Sequence, residues 1–130
     1  MKVVFDTNIF VSALTLPGGS AAEALDRIVA GHHALFVSKP ILDELLGVLA
    51  RKFARDREEL ARVALFLSEL AVMVRPERRL RVLADAADNR VLECGLFGRV
   101  DGIVTGVKQM LELVSYAGFR IITLREFLGS

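Results

Sequence analysis

The stretch VVFDTN, residues 3–8, ends a run of apolar residues on a carboxylate, Asp6, and follows it with two more polar side chains, Thr7 and Asn8. In open α/β sheets ligands bind in the crevice beyond the carboxyl ends of the strands, so an acid on the last residue of a strand points into that crevice. Asp6 or Thr7 can equally cap a helix that follows. Further acids occur at comparable places: Asp43 and Glu44 inside PILDELLGVLARKF, Asp85 and Asp88 around the start of a helical segment, and Asp101 just before GIVT. On a helical wheel the apolar arc of the first of these runs through Ile41, Leu42, Leu45, Leu46, Val48 and Leu49. Glu44 then falls about 40° and Asp43 about 60° outside that arc, so the wheel does not choose between them. Capping and the helix macrodipole account for one of Asp85 and Asp88 and hardly need both. Asp101 sits at the entry of its strand, roughly 13 Å from Thr105 at its exit, and reads as structural.

Should Asp6, Glu44 and Asp88 converge, their repulsion has to be relieved. Two unit charges ~4 Å apart at an effective dielectric of ~20 cost about 4 kcal/mol. Either a proton is taken up or a cation binds. A site built from carboxylates alone favours a hard ion, Mg²⁺ or Mn²⁺, which keeps several waters and takes further ligands from substrate phosphates. Such an ion can activate water and stabilise the charge that develops on a phosphodiester. That is nuclease chemistry.

The elements that must hold these acids alternate along the chain. Val3-Val4-Phe5 is too short for a helix and shows no alternation, which predicts a strand buried on both faces. A Pro17-Gly18-Gly19-Ser20 break follows, with Ser20 placed to cap a helix running to Gly31. Ala34 to Val37 predicts a second strand, and Ser38 with Pro40 opens a helix. Arg57 to Leu70 has amphipathic spacing, and Ala71 to Val74 is a short strand. After the basic, irregular RPERRLRVLADAAD, a helix is predicted from Asn89 to Phe97, a strand from Gly102 to Thr105, a helix from Met110 to Val114, and a last strand from Phe119 to Ile122. This order specifies a three-layer α/β/α sandwich with a mostly parallel central sheet. Asp6, Ser38 and Thr105 should gather at its carboxyl edge.

With 130 residues, the chain is read as one domain spanning 1–130. Hydrophobic residues make up 53% and the mean hydropathy is +0.45, more apolar than a small monomer hides comfortably, so a homodimer or higher homo-oligomer is expected. The 17 basic residues nearly balance the 16 acidic ones, so attraction to phosphate has to come from local patches. The single Cys94 excludes an internal disulfide, and with two histidines a Cys/His zinc site is hard to build. No leader pattern or run long enough to span a membrane is present, and a cytoplasmic location with no membrane partner is expected.

Taken together, VVFDTNIFVSAL with PGG after it, FVSKPILDELLGVLARKF, DAADNRVLEC, VDGIVTG and FRIITLREFL resemble the PIN-domain family. The likeness runs over nearly the whole chain and is nearest to the toxin components of toxin-antitoxin systems related to VapC. It implies that Asp6, Glu44 and Asp88 are the metal-binding and catalytic acids, with Glu44 rather than Asp43 as the second of them. Asn8 and Thr105 match supporting polar positions. The resemblance further implies an RNA substrate, Mg²⁺ or Mn²⁺ as cofactor, a dimer, and a small VapB-like antitoxin that blocks the site. One departure stands out: the family usually reads Val-Thr-Gly-Asp, and this chain reads Val104-Thr105-Gly106-Val107. Asp85, at the neighbouring helix start, is the candidate to compensate, although nothing in the sequence shows that it reaches.

Two clusters can meet an RNA backbone, Arg51, Lys52, Arg55 and Arg57, and Arg75, Arg78, Arg79 and Arg81. With no Trp and only Tyr116, a broad stacking platform is not expected, and Phe66 and Phe97 read as core. A haloacid-dehalogenase phosphatase also opens on a strand and an Asp, but it needs a second Asp two residues on, where this chain has Asn8. The stronger rival to a nuclease is a PIN domain that no longer cuts and serves as an RNA- or protein-binding module.

Overall fold

Strands buried on both faces need helices above and below them, and the chain supplies both layers in a computed structural model that describes residues 1–130. The elements run β1 (Lys2–Phe5), α1 (Thr7–Thr15), α2 (Ser20–Val29), β2 (Ala34–Ser38), α3 (Lys39–Phe53), α4 (Arg57–Leu70) and β3 (Val72–Val74). They continue with α5 (Ala86–Gly98), β4 (Gly102–Val104), α6 (Lys108–Leu111), β5 (Ser115–Tyr116), β6 (Phe119–Ile122) and α7 (Leu124–Leu128). The sheet order is β3-β2-β1-β4-β6-β5, parallel throughout except for the edge pair β5/β6. This is the mostly parallel α/β/α arrangement expected from the alternation of elements.

Topology fixes where ligands can reach. From β1 the chain moves outward through β2 to β3, then crosses back over the sheet to β4 on the other side of β1. With right-handed crossovers, the outward leg lays its helices on one face and the return leg on the other. Accordingly α1 packs on α2 and α3, and α3 on α4, while α5 lies across β1, β2, β3 and β4. The reversal of direction makes the β1/β4 junction the switch point, where the strand exits part and leave a crevice. Val3, Val4, Ile103 and Val104 are fully buried there. Close approach of α5 to the sheet depends on Gly95, where an added Cβ would stand 3.0 Å from Ile103 Cδ1 and 3.1 Å from Phe119 Cζ.

Several boundaries differ from those read from sequence. Ser20 lies inside α2, whose cap is Gly19 without a side-chain bond. Helix α5 begins at Ala86, not Asn89, because Asp85 caps it. The segment expected to be helical through Val114 stops at Leu111, and Val114, with φ of 63°, turns the chain into the short hairpin of β5 and β6. Phe66 is 39% exposed rather than core, and Phe97 is half-buried beneath the Arg78 guanidinium. No helix is long and apolar enough to cross a membrane.

Candidate active site

At the exit of β1, Asp6 is nearly inaccessible, with 3% of its surface exposed. One carboxylate oxygen accepts the Ile9 N–H at 3.0 Å and so caps α1, while the other accepts the Thr105 hydroxyl from the exit of β4. Thr105 Oγ1 accepts in turn the Val107 N–H at 3.0 Å, which fixes its rotamer. The sequence left open whether Asp6 is a cap or a cleft acid. The geometry makes it both, since one oxygen holds the helix and the residue still lines the crevice. Burial pushes the Asp6 carboxyl above its ordinary value, against the Thr105 hydroxyl and the N–H groups of Ile9, Asn8 and Gly106.

Helix α3 supplies the second acid and resolves the ambiguity of the wheel. Asp43 turns outward and pairs with Lys39 at 2.7 Å, with 58% of its side chain exposed. Glu44 lines the same cavity as Asp6. Helix α5 supplies the third, Asp88, in its first turn. Asp85 does the capping, accepting the N–H groups of Ala87 at 2.7 Å and Asp88 at 3.3 Å, which leaves the Asp88 carboxylate free for the cavity. Its carboxyl is pushed up to about 6, first by desolvation, then by the charges of Asp85, Asp6 and Glu44.

These three acids, with Asn8 and Val107, line a space of about 30 Å³, the share of one water molecule in the liquid. Asn8, Glu44, Asp88 and Val107 also belong to a wider cleft of about 340 Å³ that adds Asp85, Gln109, Leu83 and Ala84. Val107 thus puts an apolar side chain on the wall shared by both spaces. No three His, Cys, Asp or Glu side chains close into a tight set of direct metal ligands. The donors are carboxylate oxygens, and that chemistry fits a hard cation retaining waters better than a zinc ion. Asp101 accepts the Lys2 N–H at 2.7 Å at the opposite end of the strands and is structural, as read. Ser38 is buried beside the exit of β1, and its hydroxyl makes no hydrogen bond of normal geometry. The more apolar hollow of the molecule, bounded by Leu14, Leu49, Val63 and Phe66, lies among α1, α3 and α4, and its one acid, Glu59, pairs with Arg55 at 2.9 Å.

Sequence reading missed the residues that hold the cleft's outer wall. Asn89 is 5% exposed; its Oδ1 accepts the N–H groups of Val82 at 3.1 Å and Leu83 at 2.8 Å, and its Nδ2 donates to Leu83 O at 2.8 Å. Buried Glu93 accepts the Leu80 N–H at 2.7 Å and pairs with Arg90 at 2.8 Å, and Arg90 donates to Leu80 O at 3.2 Å. The irregular segment 75–85 is therefore suspended from α5 by side chains. The available signal was three hydrogen-bonding residues in a row of buried helix positions.

Comparison with known proteins agrees with this architecture. The PIN domain family matches residues 2–108. An uncharacterized protein of Methanocaldococcus jannaschii is 29% identical over 117 residues, covering 87% of this chain and 75% of that protein. Among solved structures, VapBC2 from Rickettsia felis, bound to a DNA fragment from their promoter, superposes with a TM-score of 0.69 at 16% identity. That match covers 95% of this chain and 98% of the other, and at this identity it speaks to the fold.

Proposed function

As the chain belongs to the PIN-domain family, we propose that it is a metal-dependent endoribonuclease of the toxin type, hydrolysing RNA phosphodiester bonds between Asp6, Glu44 and Asp88. The observation that carries this reading is the meeting of those acids from β1, α3 and α5 around one small space. Burial, with the charges of Asp85, Asp6 and Glu44, raises the Asp88 carboxyl there to about 6. Mg²⁺ or Mn²⁺ held by Asp6, Glu44 and Asp88 would offset that charge and supply an activated water and a Lewis acid for the phosphodiester. The residues of the chain do the rest. Thr105 and the Ile9 N–H hold the Asp6 carboxylate in one orientation. Asp88 loses its proton as pH rises through about 6 and would then be free to join the ion. Asn8 and Gln109 offer amide groups to a bound nucleotide from the cleft rim.

Val107 favours a second reading, a PIN domain that binds RNA or protein without cutting, since one carboxylate fewer weakens ion binding, above all at a second ion position. The two separate on structured RNAs incubated with and without Mg²⁺ or Mn²⁺, using wild type, Asp6→Asn and Val107→Asp. Metal-dependent cleavage that disappears in Asp6→Asn supports the enzyme. An inert wild type beside a Val107→Asp that cuts supports the binding module. Likeness to VapC-type toxins adds a small VapB-like antitoxin and a homodimer as proposed partners. Leu16, Phe53, Leu65 and Phe66, all exposed, leave apolar surface for such contacts.

A further inference from the structure

Beside the acid cleft lies a polar hollow of about 380 Å³ whose charged lining is Glu77, Arg78, Arg79, Arg90 and Glu93. Glu93 is already committed to the Leu80 N–H and to Arg90, so it offers little to a ligand. Arg78 and Arg79 are exposed and enter no ion pair, and the same holds for Arg75 and Arg81 on the same segment. The buried Nε of Arg90 has no hydrogen-bond partner. Exposed and unpaired, these four guanidinium groups on one loop are available to an anion.

The position of the loop says which anion. Arg75 follows β3 directly, so the segment starts at the carboxyl edge of the sheet, two strand spacings or about 10 Å from β1. It ends at Asp85, on the rim of the acid cleft. Between these points it is pinned to α5 through Leu80, Val82 and Leu83, so the backbone that carries its cations is held in place. Guanidinium forks match phosphate oxygens in pairs. A protein partner would need apolar or aromatic anchors in the hollow, and among its lining residues only prolines are uncharged. Next to it Arg78 lies over the Phe97 ring at 5.9 Å, a guanidinium-aromatic pair of the kind on which unpaired bases stack.

We propose that segment 75–85 is the track along which a single RNA strand approaches the acid cleft, Arg78 and Arg79 gripping its phosphates and the Arg78–Phe97 pair receiving a base. This rests on the proposed action on RNA but not on cleavage. The test is binding of a fluorescent single-stranded RNA of about a dozen nucleotides in EDTA across a salt series. Arg78→Ala/Arg79→Ala should weaken binding roughly tenfold at low salt and reduce the slope of log K against log salt by about 1.4, some 0.7 per lost phosphate contact. The matched pair Lys52→Ala/Arg57→Ala, on the far basic cluster, should leave both unchanged. Equal loss in the two pairs, an unchanged slope in the first, or no RNA binding by wild type overturns the proposal. A wild type that is inert toward RNA with Mg²⁺, yet loses binding in Arg78→Ala/Arg79→Ala, keeps the track and removes the nuclease.

Discussion

Replacing Asp88 by Asn should stabilise the metal-free protein. An aspartate held at about 6 instead of 3.8 binds protons more tightly folded than unfolded, so its ionisation opposes folding. Fully ionised, that difference is worth roughly 3 kcal/mol. Asp88 is only partly buried, and salt screens the charges of Asp85, Asp6 and Glu44, which cuts the figure. Its place in the first turn of α5 also returns about 0.5 kcal/mol through the helix dipole. A net gain of roughly 1–2 kcal/mol remains, or about 3–8 °C in Tm for a domain of this size. The sign fixes the pH window. Wild type loses stability as pH rises from 3.8 through about 6, so the gap is full above that range and shrinks below it. Thermal melts in EDTA should show the Asn variant ahead near pH 7.5 and the gap reduced to about one third near pH 4.5. Adding Mn²⁺ should raise wild type and leave Asp88→Asn nearly unmoved. A variant less stable than wild type at neutral pH, or a gap indifferent to pH, refutes the account of an Asp88 carboxylate destabilised by burial and neighbouring charge.

The other predictions probe the supports of the cleft. Manganese affinity, measured by calorimetry, should climb as pH rises through about 6, because protons compete for Asp88 below that value. Thr105→Val strips the buried Asp6 carboxylate of its hydroxyl donor and leaves the Val107 N–H unpaired, costing about 2–4 kcal/mol in urea unfolding. Asn89→Ala should cost about 2–3 kcal/mol and speed hydrogen exchange at Val82 and Leu83, with α5 itself still protected. Gly95→Ala forces α5 off Ile103 and Phe119 and should cost about 1–3 kcal/mol in the same assay.

The fold was legible where the information is local. Unalternating apolar triplets such as Val3-Val4-Phe5 announce buried strands, and a crossover order written in short elements leaves few topologies. Asp6 was legible as a strand-exit acid for the same reason. Glu44 was not separable from Asp43 on the wheel, because both fall just outside the apolar arc, and only the Lys39 pair and the packing of α3 tell them apart. The start of α5 was placed three residues late, at Asn89, because Ala86-Ala87 carries no strong signal and the decisive bond is Asp85 to two N–H groups. Segment 75–85 read as irregular because its order is lent by Asn89, Arg90 and Glu93, residues up to 13 positions away. Pairing of that kind leaves no periodicity behind. The two-residue strand β5 is likewise set by its partner β6, not by its own composition.

Charge balance explains why acids and arginines stand apart. Four carboxylates, Asp6, Glu44, Asp85 and Asp88, border the cleft, and no Lys or Arg lines it. Compensation inside comes from helix starts: α1, α3, α5 and α6 all begin at this edge, each offering a partial positive charge of at most about 0.5. These dipoles cannot neutralise four full charges; burial raises the carboxyls of Asp6 and Asp88, and at Asp88 the charges of Asp85, Asp6 and Glu44 add to it. A lysine in the cleft would offset part of that charge permanently and compete with a cation for the same carboxylates. Held instead on segment 75–85, the guanidinium groups can face phosphates without quenching the acids. Val107 fits the same balance: an apolar side chain at the start of α6, where an aspartate would add a further charge, lowers the repulsion the cleft must bear and the pull it can exert on an ion.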